Sequence, residues 1–138
     1  MKSEVTKFIL AGILGTVVMT VIMLVAPHMG MPKMAPWKLL AGAMNVPIAV
    51  GWILHFIMGI LFALFYGYVF APKVAISNLF FKGIAFGIMA LILAQIGMKV
   101  MGLLFEIPPM DGSMPMRLLA MLIGHVVFGV VTVKVIGK

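Results

Sequence analysis

The stretch from Pro47 to Phe70, PIAVGWILHFIMGILFALFYGYVF, decides the fold. It holds no charged residue, and at a rise of about 1.5 Å per residue it is long enough to cross a bilayer core of about 30 Å. It also carries a single histidine, His55, with Gly51 four residues before it and Gly59 four residues after it. Positions four apart lie on one face of a helix. The stretch therefore predicts a transmembrane helix with the His55 imidazole between two glycines. An ionisable side chain inside a membrane is a candidate functional site.

The whole chain has the same apolar character. Apolar residues make up 64% of its 138 residues and charged residues 9%, and its mean hydropathy is +1.28. These values lie outside the range of soluble domains. A chain of this length can hold about four spans of about 20 residues and no separate soluble domain. We expect an all-α protein, with residues 1–138 forming a single integral membrane domain, a four-helix transmembrane bundle.

Uncharged runs bounded by proline, glycine and lysine predict where the four spans lie. Their expected ranges are about 8–26, 48–70, 78–104 and 116–135. Ser77 or Asn78 is the expected N-cap of the third span. Between the first two spans, residues 36–44 predict a short helix on the membrane surface, with Trp37 at the depth of the lipid headgroups.

The basic residues are spread singly along the chain, and most of them flank the apolar runs, although the net charge is +7. Lysines at span ends anchor helices to lipid headgroups, so the expected partner is the lipid bilayer and not nucleic acid. The side of the termini holds six basic residues, Lys2, Lys7, Lys73, Lys82, Lys134 and Lys138, and the other side holds four, Lys33, Lys38, Lys99 and Arg117. The excess predicts that both termini lie in the cytoplasm, and the membrane that we expect is a bacterial-type inner membrane.

Polar side chains of the four spans fall at one depth. Counted from the outer ends of the spans they lie about seven to eleven residues in, which is about 10 to 16 Å below the outer surface. The residues are Thr16 and Thr20 in the first span, His55 in the second, Gln95 in the third and His125 in the fourth. Antiparallel helices with short links bring such a layer together inside the bundle.

Two histidines in one layer suggest a b-type haem for electron transfer, as in a cytochrome b-like protein. Haem iron accepts imidazole nitrogens on opposite faces, and the flat porphyrin needs small residues beside the ligands. His55 and His125 would ligate the iron, Gln95 would lie in the same layer, and Gly51, Gly59 and Gly129 would make room for the ring. Four residues near the outer surface could receive the propionates: Lys33, Trp37, Lys38 and Arg117.

The same residues also fit a structural hypothesis. Hydrogen bonds between His55, Gln95 and His125 would fix the register of the helices, and small residues four apart also mark close helix packing. The chain would then be a structural or accessory membrane subunit, in a larger complex or a homo-oligomer.

A third hypothesis places copper in the first outer link, at His28, Met29, Met31 and Met34. Thioether sulfur selects soft ions such as Cu(I). The chain has 15 methionines, however, and many of them lie within the spans, where methionine replaces leucine.

Enzymatic activity has little support in the sequence. The three carboxylates, Glu4, Glu106 and Asp111, lie outside the predicted spans, so a carboxylate proton relay inside the membrane is excluded. The chain has no cysteine, which excludes thiolate nucleophiles and thiolate metal sites.

Three short motifs carry a resemblance to a known group of proteins. They are MGMPKM at residues 29–34, GWILHF at 51–56 and GHVVFG at 124–129. In this order they resemble small four-span bacterial membrane proteins of uncharacterised function. The resemblance extends over most of the chain, and it implies a four-helix bundle without implying an activity.

Overall fold

The computed structural model describes residues 2–138, which form helices joined by short links, with no strand among them. The five main helices are α1 (Lys2–Val25), α2 (Pro36–Met44), α3 (Ile48–Phe65), α4 (Leu79–Leu104) and α5 (Met114–Ile136). A 3₁₀ turn, Ala26–Met29, follows α1. A π-helical turn, Tyr66–Phe70, and one further turn, Ala71–Lys73, extend α3.

Four helical segments are long and apolar enough to cross a membrane: Ser3–Met29, Ile48–Lys73, Leu79–Leu104 and Met114–Ile136. Helices suit this environment because lipid offers no hydrogen-bond partner and a helix satisfies its own backbone groups. The expected all-α membrane bundle is confirmed. Two names are used below for the two ends of the bundle. The link side is the end that holds residues 26–47 and 105–113. The terminal side is the end that holds both termini and residues 74–78.

Local signals in the sequence fix several helix ends. The Asn78 side chain accepts hydrogen bonds from the backbone N–H groups of Phe80 at 2.9 Å and Phe81 at 3.3 Å, which caps α4 as the sequence predicts. Asn45 has a φ of 52°, the left-handed conformation that ends a helix, and it follows α2. The helix at Pro36–Met44 has the bounds that the sequence predicts.

The central helix of the bundle is α1, which packs against α3 on one side and α5 on the other, while α4 packs against α5. Glycines let these pairs approach closely. A Cβ at Gly12 would lie 2.6 Å from the Cα of Ile60 in α3, and a Cβ at Gly87 would lie 2.6 Å from the Cα of Val126 in α5. Both distances are too short for a side chain, so these contacts require glycine.

An aromatic core fills the terminal side of the bundle. The Tyr66 ring lies 4.8 Å from the Phe86 ring, and Phe86 lies 6.3 Å from Phe128, measured between ring centroids. All three rings are buried, and the Tyr66 hydroxyl donates a hydrogen bond to the Lys138 backbone oxygen. This tight packing joins α3, α4 and α5 on the terminal side and leaves the histidines to the link side.

Candidate functional site

His55 lies inside the bundle, on the face of α3 that meets α1. Its side chain is 5% exposed, and its Nε2 atom is joined to the Thr20 hydroxyl of α1 by a hydrogen bond of 3.0 Å. The sequence places these two residues at the same depth, and the structure brings them into contact. A buried polar ring therefore has a polar partner on the neighbouring helix, as burial of such a group requires.

Two tryptophans cover His55 from the link side. The Trp37 ring of α2 stacks on the Trp52 ring of α3 with centroids 4.1 Å apart and planes 11° apart. The His55 ring lies 5.7 Å from Trp37 and 6.2 Å from Trp52. Trp37 is only 4% exposed, so its ring meets protein side chains and does not project outward from the bundle. Instead it forms an aromatic wall over the histidine.

His125 and Gln95 form a separate polar group between α4 and α5. The Nδ1 atom of His125 is hydrogen-bonded to the Met121 backbone oxygen at 2.8 Å, one turn earlier in α5. The Gln95 amide donates to the Met121 sulfur at 3.2 Å. Within the described residues the hydrogen bonds of the predicted layer therefore fall into two groups: His55 bonds to Thr20 of α1, while Gln95 and His125 both bond to Met121.

The three glycines of the haem hypothesis are each covered by protein. A Cβ at Gly59 would overlap the Thr16 hydroxyl, and a Cβ at Gly51 would overlap the Trp37 backbone oxygen. A Cβ at Gly129 would lie 2.7 Å from the Cα of Gly87. A porphyrin beside these glycines would occupy the positions of neighbouring backbone and side chains. The arrangement does not fit a haem at this place, and it fits close helix packing.

The residues expected to receive haem propionates have other positions or partners. Arg117 donates from Nη1 to the backbone oxygens of Met110 and Gly112, both at 3.1 Å, and so closes the second link. Lys33 and Lys38 are exposed on the link side.

The residues of the copper hypothesis are partly brought together. Met29, Met31 and Met34 line one cavity of about 310 Å³ at the link end of α1, and Met23 of α1 joins them. His28 is exposed and does not line this cavity. In the described part of the chain, no three histidine or carboxylate side chains cluster as metal ligands.

Sequence reasoning missed two features of this region, the Trp37–Trp52 stack and the place of Met23. A signal for the stack exists, since Trp52 lies one position after Gly51 and Trp37 lies in the first turn of α2. No sequence signal separates Met23 from the other methionines, because its role depends on how the link folds back over α1.

The comparisons with known proteins give a family and no activity. A model of the family of unknown function DUF6789 matches residues 2–138. No curated protein matches the chain, and no solved structure does. The matched range contains all five helices and both links, which accords with the resemblance to an uncharacterised family. The chain therefore belongs to the DUF6789 family.

Proposed function

We propose that this protein is a structural or accessory membrane subunit. It spans a bacterial-type inner membrane with both termini in the cytoplasm. Its buried polar layer fixes how the helices pack. The observation that carries the proposal is the hydrogen bond between His55 and Thr20, at 3.0 Å and inside the bundle. This bond joins α3 to the central helix α1 at a single register.

The contacts around this bond support a packing role. Lipid is as apolar as leucine, so membrane helices associate through close packing and hydrogen bonds rather than through the hydrophobic effect. Gly59 lies one turn after His55, and Thr16 lies one turn before Thr20. Gly59 lies against Thr16, so a close contact and a hydrogen bond lie side by side in the same interface. Sliding α3 along α1 would break both contacts together.

The positions of the acidic residues support a role without catalysis. Glu4, Glu106 and Asp111 are all exposed, and they are the three acidic residues of the chain. Glu4 pairs with Lys138 at 2.7 Å, far from the histidines. The natural partners of such a subunit are the other chains of a larger membrane complex or further copies of itself, bound through its apolar faces.

A double-mutant cycle tests the role of the hydrogen bond. We expect Thr20→Val and His55→Leu each to lower the free energy of unfolding in detergent, and the double variant to lose less than the sum of the two. The coupling energy should be about 0.6 kcal/mol and at most about 1.7 kcal/mol, the range of interhelical hydrogen bonds in membranes.

Thr132 supplies the matched control for this cycle. It is fully buried, and within the described residues its hydroxyl has no hydrogen-bond partner. Thr132→Val should therefore leave stability unchanged or raise it. Equal losses from Thr20→Val and Thr132→Val, or additive effects in the cycle, would contradict the packing role.

The visible absorption spectrum of the purified protein distinguishes the packing role from the haem hypothesis. We expect no Soret band in the visible absorption spectrum, in either redox state, after expression in haem-replete cells. A Soret band that is lost in His55→Leu and also in His125→Leu would overturn the proposal in favour of a haem protein.

A further inference from the structure

Methionine sulfurs surround the cavity at the link end of α1. Met23, Met29, Met31 and Met34 are four of the ten residues that line it. In the whole chain, methionines are 15 of 138 residues. The remaining lining residues are aliphatic or proline, so thioethers are the donor atoms that side chains bring to this cavity. A general preference for methionine over leucine does not account for this local enrichment.

The chain reverses direction in the first link, and the methionines of the cavity come from both sides of this turn. Gly30 has a φ of 83°, in the left-handed region where glycine is at ease. The N–H of Gly30 donates to the Pro27 backbone oxygen and the N–H of Met31 to the Ala26 backbone oxygen, both at 3.2 Å. This pair of bonds is a Schellman motif, which stops the helix and turns the chain back. The reversal directs Met31 and Met34 to the cavity that Met23 lines.

The four methionines range from the surface of the protein to its interior. Met29 is 80% exposed, Met31 and Met34 are half-buried, and Met23 is 5% exposed. An ion that enters from the surface of the protein thus meets an exposed methionine first and a buried methionine last. A binding site needs such an entry path as well as ligands.

We propose that this cavity binds a soft monovalent cation, Cu(I), through the thioethers of Met23, Met29, Met31 and Met34. Thioethers are neutral and soft, so they select Cu(I) over hard ions such as Mg²⁺ or Ca²⁺. A single charge also suits a site without carboxylates better than a double charge does. The site differs from the one that the sequence suggests, because Met23 enters it and His28 does not. It is independent of the proposed packing role, since none of its residues belongs to the His55–Thr20 contact.

The test is metal binding by the purified full chain in detergent, with Cu(I) under anaerobic conditions and Ag(I) as a redox-inert analogue. We expect one ion per chain for the wild type. The triple variant Met29→Leu, Met31→Leu, Met34→Leu should bind at least tenfold more weakly. Leucine is close to methionine in volume and lacks only the sulfur donor, so the cavity keeps its shape.

The control triple variant is Met58→Leu, Met89→Leu, Met116→Leu, which changes three exposed methionines outside the cavity. It should bind as the wild type does. X-ray absorption at the copper edge gives a second measurement on the wild type alone, and we expect sulfur scatterers in the first shell. Equal weakening by the two triple variants, no binding by the wild type, or a shell of nitrogen and oxygen only would overturn the proposal.

Discussion

Gly59 and Thr16 illustrate how one missing side chain sets the distance between two helices. The Thr16 hydroxyl donates to the Gly12 backbone oxygen at 2.7 Å, so it bonds within its own helix and is held in place. A Cβ at Gly59 would overlap this fixed hydroxyl. The contact is therefore rigid on both sides, and a larger residue at position 59 must push α3 away from α1.

The first prediction compares two glycines by the same substitution. We expect Gly59→Ala to destabilise the bundle by about 1 to 3 kcal/mol, because overpacking a tight contact shifts the backbone. Gly97 has nothing within 4 Å of a Cβ, so Gly97→Ala should be neutral or should stabilise by up to about 1 kcal/mol through helix propensity. Unfolding curves of the two variants in detergent measure the difference. Similar effects of both would contradict the packing role of Gly59.

Some of the contacts of single residues could be predicted from the sequence, and others could not. The depth of a residue follows from counting residues along a helix, so the contact between His55 and Thr20 could be predicted. The partner of His125 was not, because its ring bonds to the Met121 backbone oxygen of its own helix, and depth does not show whether a ring turns to its own backbone or to a neighbouring helix. Glycines four residues apart occur beside a flat cofactor and between packed helices alike, so spacing alone could not show that Gly51 faces Trp37.

The short helix α2 acts as a lid over the His55 site. It begins at Pro36, ends at Met44, and packs against α3. Its Trp37 backbone lies against Gly51 and its Trp37 ring stacks on Trp52, so one residue makes both contacts. The sequence predicted the bounds of this helix, residues 36–44. It did not predict the docking, since an apolar face can meet either lipid or another helix.

The second prediction uses the two tryptophans, which are the only ones in the chain. Gly51→Ala should move α2 off α3, because the new Cβ would overlap the Trp37 backbone oxygen. The indoles would then separate, with loss of their exciton signal in circular dichroism and stronger quenching of fluorescence by acrylamide. Gly102→Ala is the control, since a Cβ there would meet Ile107 at an ordinary 3.5 Å. An unchanged spectrum in Gly51→Ala would refute the lid.

The two sides of the molecule are built differently. Buried phenylalanine and tyrosine rings pack the terminal side, whereas the link side holds the His55–Thr20 contact and the methionine cavity. The two links also touch, since Gly112 lies against Pro32 and Gly42 against Pro108. The number and extent of the spans followed from hydropathy. The central place of α1 did not, because helices that are apolar all round carry no sequence mark of the face that meets a neighbour.

The last prediction concerns the orientation of the whole molecule in the membrane. Lysine and arginine prefer cytoplasmic loops, so six basic residues on the terminal side against four on the link side predict that the termini lie in the cytoplasm. The chain has no cysteine, so one introduced cysteine reports one position. Ser77 on the terminal side and Ser113 on the link side are both exposed, and Ser113 makes no side-chain capping bond to α5.

In intact spheroplasts, a membrane-impermeant maleimide should label Ser113→Cys, and it should label Ser77→Cys only after the membrane is permeabilised. The reverse pattern would invert the orientation and would place the methionine cavity on the cytoplasmic side, while labelling of both cysteines in sealed spheroplasts would show that the chain inserts in two orientations.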